Sequence, residues 1–186
     1  MQKLKTEHLG RDTIDIFHAK EKTPIVLVLD NIRSGLNVGS IFRTADAFAL
    51  EKIYLCGITV QPPHREILKT AIGATDSIAW KYFNDVKLCA GELNAKGYTL
   101  IGVEQTTHSQ SLHQFELPEL PIALFLGNEV HGISESILPL LDASLVIPQF
   151  GTKHSFNVSV CAGIVIWDLF CKWKWTGDKP RTISGQ

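Results

Sequence analysis

Residues 145–170 read LVIPQFGTKHSFNVSVCAGIVIWDLF. The segment predicts a short buried strand ending at Ile147, a break at Pro148, a loop, and then a long apolar helix. Gly151, Lys153, His154, Ser155 and Asn157 are crowded into that loop, between two stretches that read as core. Small and polar groups on a tight loop between buried elements are a common way to build a site. Ser155 is the expected N-cap of the helix. Residues 35–45 and 124–134 have the same character, so three loops carry the functional reading.

Working outward, each of these loops follows an apolar run. Residues 24–30, PIVLVLD, are rich in β-branched residues and Leu, which suits a strand buried on both faces of a parallel sheet. A loop, NIRSGLN, leads to VGSIFRTADAFAL, where Val38, Ile41, Phe42, Ala45 and Phe48 fall at helical spacing with Asn37 as the expected N-cap. KIYLCGI, residues 78–83, YTLIGVEQ and IALFLG are further strands, and Asn84 to Lys96 a helix closed by Gly97. Residues 61–76 hold a loop and one helical stretch, 105–120 a polar connection, and 134–140 a short helix. The alternation argues for a single α/β domain with a mostly parallel central sheet. Three parts are expected: an N-terminal arm or helix over 1–23, with helical character around Arg11 to Lys20, a main domain over 24–171, and a basic, aromatic tail over 172–186.

At 186 residues with 45% hydrophobic and 20% charged content, the chain suits one soluble domain with a substantial core. No apolar run reaches the roughly 18–20 residues that span a bilayer, and the first residues lack the apolar stretch of a secretory signal. Cys56, Cys89, Cys161 and Cys171 lie far apart without a CxxC pair, which suits free thiols in a reducing cytoplasm. The seven histidines show no HExxH and no zinc spacing, so no metal is expected. A net charge of −1 gives no support to a strongly basic nucleic-acid module, although a local patch can act within a neutral total. GxGxxG after the first strand, GxxxxGK[ST] and GxSxG are all absent.

In open α/β sheets ligands bind beyond the carboxyl ends of the strands, where the three loops can converge. The first supplies Asn37 and Gly39, with Arg43 two turns into the helix. Arg43 is either a fixed fork of donors for a phosphate or a surface residue paired with Asp46. Glu129 lies between Gly127 and Gly132; it either accepts hydrogen bonds and orients Arg43, or is simply solvated. His131 reads as an exposed loop histidine. In the tail, Trp173 and Trp175 alternate with Lys172 and Lys174, a pattern for stacking on bases beside phosphates or for packing. Spacing by itself gives a polar site at strand ends and no reaction.

NVGSIFRTADAF, LFLGNEVHGIS and IPQFGTKHSFNVSVCAGIVIWDL resemble, in order, the three motifs of the SpoU (TrmH-like) RNA ribose 2′-O-methyltransferases of the SPOUT superfamily. Together they span about residues 25–170. Gln149 stands where a Met often follows the Ile-Pro pair, and Phe156 where Leu is usual.

The resemblance implies an α/β knot, a deep C-terminal trefoil that breaks the usual rule against threaded connections. It also implies an S-adenosylmethionine-dependent enzyme acting on tRNA or rRNA, as a homodimer whose site draws on both subunits; the small size of the chain favours tRNA over rRNA. The cofactor is then expected at Val103, Gly127, Ile147, Ser155 and Phe156. Arg43 matches the catalytic arginine, and Asn37, Glu129, Ser155 and Asn157 the other polar site positions. The competing readings are a knotted RNA-binding or assembly protein without catalysis, against which the intact polar set argues, and an unrelated small-molecule enzyme.

Overall fold

The apolar run after Lys22 forms β1, Thr23–Asp30, and in it Ile25 through Leu29 are fully buried. Its side chains alternate between two cores. Ile25, Leu27 and Leu29 pack in one with Val38, Ile41 and Phe42, and Val26 and Val28 pack in the other with Val86, Cys89 and Leu93. Burial on both faces is why this strand is apolar throughout rather than alternating. Each fully buried Leu or Ile contributes about 1.5–3 kcal/mol relative to an exposed one.

The computed structural model describes residues 3–5, 10–119 and 121–175. Helix α1, Ile14–Ala19, precedes β1; α2, Gly35–Ala47, β2, Leu50–Cys56, α3, Arg65–Ala71, and α4, Ala74–Ser77, follow it. Next come β3, Trp80–Phe83, α5, Val86–Ala95, β4, Thr99–Val103, and the two-residue β5, Gln110–Ser111. The last elements are β6, Ile122–Leu126, β7, Ala143–Val146, and α6, Val158–Trp175. The strand order is β3-β2-β1-β6-β4-β7-β5, and every registered pair is parallel. The strands therefore end on one side, and the adjacent ends of β1, β6, β4 and β7 form the floor beneath the three loops.

Several sequence expectations shift. Ser34, not Asn37, caps α2, accepting from the Asn37 backbone N–H at 3.3 Å, so the helix begins three residues before Val38 and Asn37 lies in its first turn. Asn157 rather than Ser155 caps α6: its Oδ1 accepts from the N–H of Ser159 at 2.9 Å and of Val160 at 3.4 Å. The 134–140 stretch makes only a 3₁₀ turn at Leu138–Leu140, where Pro139 cannot donate to a continuing helix. Two short helices, α3 and α4, replace the single one expected, separated by Ile72 and Gly73 in left-handed conformation. The strand before the last loop ends at Val146, and β5 lies within the polar connection.

The expected division at residue 171 also falls inside an element, because α6 continues to Trp175. Lys172 donates to the Leu112 carbonyl at 2.7 Å and pairs with Asp168 at 2.5 Å, and Lys174 is buried beside the Trp173 ring. These lysines serve the fold, so the alternation of Trp and Lys is not a phosphate track. The rest of the tail, 176–186, lies outside the described residues.

Candidate active site

Asp30, the fully buried carboxylate that ends β1, anchors the loops at the strand ends. Its Oδ2 accepts from the Ser134 N–H at 2.7 Å, and its Oδ1 from Asn31 Nδ2 at 2.8 Å. Asn31 adopts φ +58°, a conformation that Asn tolerates better than most residues. That turn aims its own carbonyl at Asn128 Nδ2, 2.8 Å away, and its Oδ1 at the Ile58 N–H, 3.1 Å away. Asn128 Oδ1 in turn accepts from the N–H groups of Val130 and His131 at 2.9 and 3.1 Å. The second loop is thus folded around two buried-to-half-buried amides before any ligand is considered.

Gly127 has a structural reason to be glycine. A Cβ there would lie 2.1 Å from the backbone carbon of Gly132 and 2.2 Å from the nitrogen of Ile133. The loop turns back on itself at this point, with Asn128 and Gly132 exchanging backbone hydrogen bonds of 2.9 Å. Gly39 is likewise a packing glycine, since a Cβ would meet Thr70 Oγ1 and the Ile67 carbonyl where α2 crosses α3.

Beyond these strand ends lies a cavity of about 290 Å³, at the small end of ligand pockets. Val103, Gly127, Ile147, Ser155 and Phe156, the five positions expected to hold a cofactor, all line it, and so does Glu129. Val103, Leu126, Leu145 and Ile147 give it an apolar wall, and Glu104, Gln105 and Asn128 add polar groups. Apolar strand ends flanked by exposed backbone suit the flat face and polar edge of a nucleoside. The third loop closes one side: the His154 carbonyl accepts from Gln105 Nε2 at 2.9 Å and from Gln149 Nε2 at 3.3 Å. Burial, and then the nearby Glu104 carboxylate, push the Cys161 thiol on the cavity wall up to about 11.

A ladder of side chains joins the three loops beside the cavity. Asn37 Nδ2 donates to Glu129 Oε1 at 3.0 Å, and Asn157 Nδ2 donates to Asn37 Oδ1 at 3.1 Å. Asn157 Oδ1 accepts from Ser159 Oγ at 2.6 Å as well as from the backbone. The ladder runs in one direction and ends on a carboxylate. Glu129 accordingly meets Asn37, not Arg43.

Arg43 stands apart. It is exposed and lines a separate shallow depression with Ser40, Thr44, Phe48, Lys69 and Thr70. It makes no ion pair with Asp46, which instead accepts from Ser77 Oγ at 2.5 Å. Its side chain is presented to solvent on the third turn of a helix whose opposite side is core.

Residue pattern alone does not single out Asp30, Asn31, Glu104, Gln105 or Asn128. A carboxylate at the end of a wholly apolar strand was the one available signal, for Asp30; the others act through backbone contacts formed only in the fold. Among the described residues no group of three or more His, Cys, Asp or Glu side chains gathers as a metal site, and no helix is long and apolar enough to cross a membrane.

Residues 24–167 match the profile of the SpoU rRNA Methylase family. The chain is 30% identical over 152 residues to the 23S rRNA (guanosine-2′-O-)-methyltransferase RlmB of Neisseria meningitidis, covering 82% of this chain and 60% of that protein. It is 28% identical over 157 residues to the tRNA (guanosine(18)-2′-O)-methyltransferase of Aquifex aeolicus, covering 80% of this chain and 70% of that one. The crystal structure of an AdoMet-bound rRNA methyltransferase from Sinorhizobium meliloti superposes with a TM-score of 0.75 at 25% identity, covering 80% of this chain and 56% of that one. The chain spans less than two thirds of the length of several curated relatives, and only 9% of one.

Proposed function

The chain belongs to the SpoU rRNA methylase family, and from that premise we propose that it is an S-adenosylmethionine-dependent enzyme that methylates a ribose 2′-hydroxyl of RNA. The observation that carries this reading is the convergence of five expected cofactor positions on one cavity beside the Glu129–Asn37–Asn157 ladder. The cofactor would bring an electrophilic methyl group carried on a sulfonium. Val103 and Ile147 would cover its adenine, and the backbone around Gly127, Ser155 and Phe156 would read its polar edge. The cavity's apolar wall fits such a group.

The remaining chemistry is positioning and proton removal. A guanidinium makes a poor base. In this reading Arg43 grips an RNA phosphate, which takes the 2′-hydroxyl proton, while Asn37, Glu129, Ser155 and Asn157 orient the ribose. Arg43 lies outside the cavity of its own chain, which supports a site completed by the Arg43 of a second copy in a homodimer. The half-exposed apolar side chains Val160 and Trp167 on α6, with Leu36 and Phe156, supply a surface for that partner.

A deep trefoil knot over the C-terminal part is included in the proposal. It is supported by the sheet order, which inserts β7 between β4 and β5, the two strands joined by the 104–109 connection. The domain is taken to begin at residue 24 and, from the course of α6, to extend past the expected boundary at 171 to Trp175, preceded by the arm, in a cytoplasmic protein, consistent with four free cysteines. Relatives act on tRNA and on 23S rRNA; we take tRNA as the first substrate. Incubating the protein with radiolabelled S-adenosylmethionine and unmodified tRNA or ribosomal RNA tests this: label in tRNA supports the choice, label in ribosomal RNA alone reverses it, and none in either refutes the activity.

A further inference from the structure

The cavity is lined by two carboxylates, Glu104 and Glu129, and by no lysine or arginine. Glu129 is exposed and accepts from Asn37. Glu104 is different. It follows Val103 at the end of β4, is half-buried, and is held in one orientation by two backbone donors. Its Oε1 accepts from the Gln105 N–H and its Oε2 from the Ile133 N–H, each at 2.9 Å. Gly132, at φ +68°, makes room for it, because a Cβ there would lie 2.1 Å from Glu104 Oε2.

These two N–H bonds keep the carboxylate from swinging into solvent but do not neutralise it. No basic side chain forms an ion pair with it among the described residues. A fixed, half-buried charge without a counter-ion on a cavity wall favours a cationic occupant. Its charge also reaches Cys161 on the cavity wall, where, after burial, it is the second cause that raises the thiol pKa.

We propose that Glu104 is a specificity-determining residue of this cavity, favouring a sulfonium ligand over the uncharged thioether that remains after methyl transfer. The inference rests on the methyltransferase reading. Methyl transfer to a hydroxyl breaks the S–CH₃ bond, forms an O–CH₃ bond and releases the hydroxyl proton. The ligand's sulfur thereby loses its positive charge while the rest of its structure is unchanged. Glu104 then loses its partner, which weakens the grip on the product.

Calorimetric titration of the purified full chain with S-adenosylmethionine, S-adenosylhomocysteine and sinefungin, whose ammonium replaces the methylsulfonium, tests this. The wild type should bind the two cationic ligands about tenfold more tightly than the thioether. In Glu104→Gln that ratio should fall towards one, with the thioether affinity little changed; in Glu104→Asp the preference should persist. The amide of Glu104→Gln also meets one backbone N–H, so any loosening weakens all three ligands together and leaves the ratio intact. A ratio unchanged in Glu104→Gln, or no preference in the wild type, overturns the proposal. Failure of all three ligands to bind the wild type overturns the methyltransferase reading itself.

Discussion

Asn37 Nδ2 donates to Glu129 Oε1 at 3.0 Å across 92 residues of chain, joining the first turn of α2 to the loop after β6. Asn37 also accepts from Asn157, so one amide holds the geometry of all three loops. Replacing it by Asp keeps an acceptor for Asn157 but sets a second carboxylate against Glu129. Because the bond between them is solvent-exposed, the cost in stability should be within about 1 kcal/mol. Methyl transfer should fall by at least about tenfold, since misplacing the ribose by a fraction of an ångström is enough. Thermal melting and single-turnover rates check this; an unaltered rate would remove the ladder from the reaction.

Gly127→Ala drives a methyl group into the Gly132–Ile133 backbone. Backbone cannot yield as a flexible side chain can, so a loss of about 1–3 kcal/mol is expected on chemical denaturation. The reshaped loop should also weaken cofactor binding by calorimetry. Gly91→Ala, where a Cβ meets nothing within 4 Å, is the control and should retain both.

Gln105, in the connection after β4, and Gln149, within the third loop, both donate to the His154 carbonyl. Gln105→Ala removes the shorter bond, an exposed one whose loss should cost no more than about 1 kcal/mol of stability. Its effect should appear instead as a several-fold rise in KM for the cofactor, with kcat at saturation largely kept. A fall in kcat without a change in KM would show that the loop acts on the chemistry rather than on the cofactor.

Cys161 is an acid whose folded pKa lies above its unfolded one, at about 11. Between the two values the folded state holds the proton that the unfolded state has lost, so stability falls as pH rises from about 9 to 11. The Tyr54 and Tyr98 hydroxyls are also shifted upward, chiefly by burial, and add to the decline above their unfolded range. Cys161→Ala should therefore melt with a shallower dependence on pH from 9 to 10 than the wild type; parallel curves would contradict the assignment.

The central strands were legible because two-sided burial leaves an unbroken apolar run, as in β1 and β6. The long α6 was legible for a similar reason, since its apolar content exceeds what a single buried face requires. Helix starts were less so: Ser34, Asn37, Ser155 and Asn157 are all good caps, and only the path of the chain selects Ser34 and Asn157. Lys172 and Lys174 looked like solvent-facing cations because local pattern does not reveal that their helix packs against the Leu112 turn. The five cavity positions came from motif resemblance, whereas Glu104 became visible only through its bonds to residues 105 and 133.

The most direct test of the central claim is alkaline hydrolysis of RNA labelled by the wild-type protein from radioactive S-adenosylmethionine. A 2′-O-methyl group removes the hydroxyl that attacks the neighbouring phosphate, so ribose methylation leaves label in alkali-stable dinucleotides. We predict label there, lost by at least about a hundredfold in Arg43→Ala and nearly as much in Arg43→Lys, with cofactor binding preserved in both. Label released in mononucleotides, marking a methylated base, or equal losses of cofactor binding and transfer in the Arg43 variants, would contradict the account.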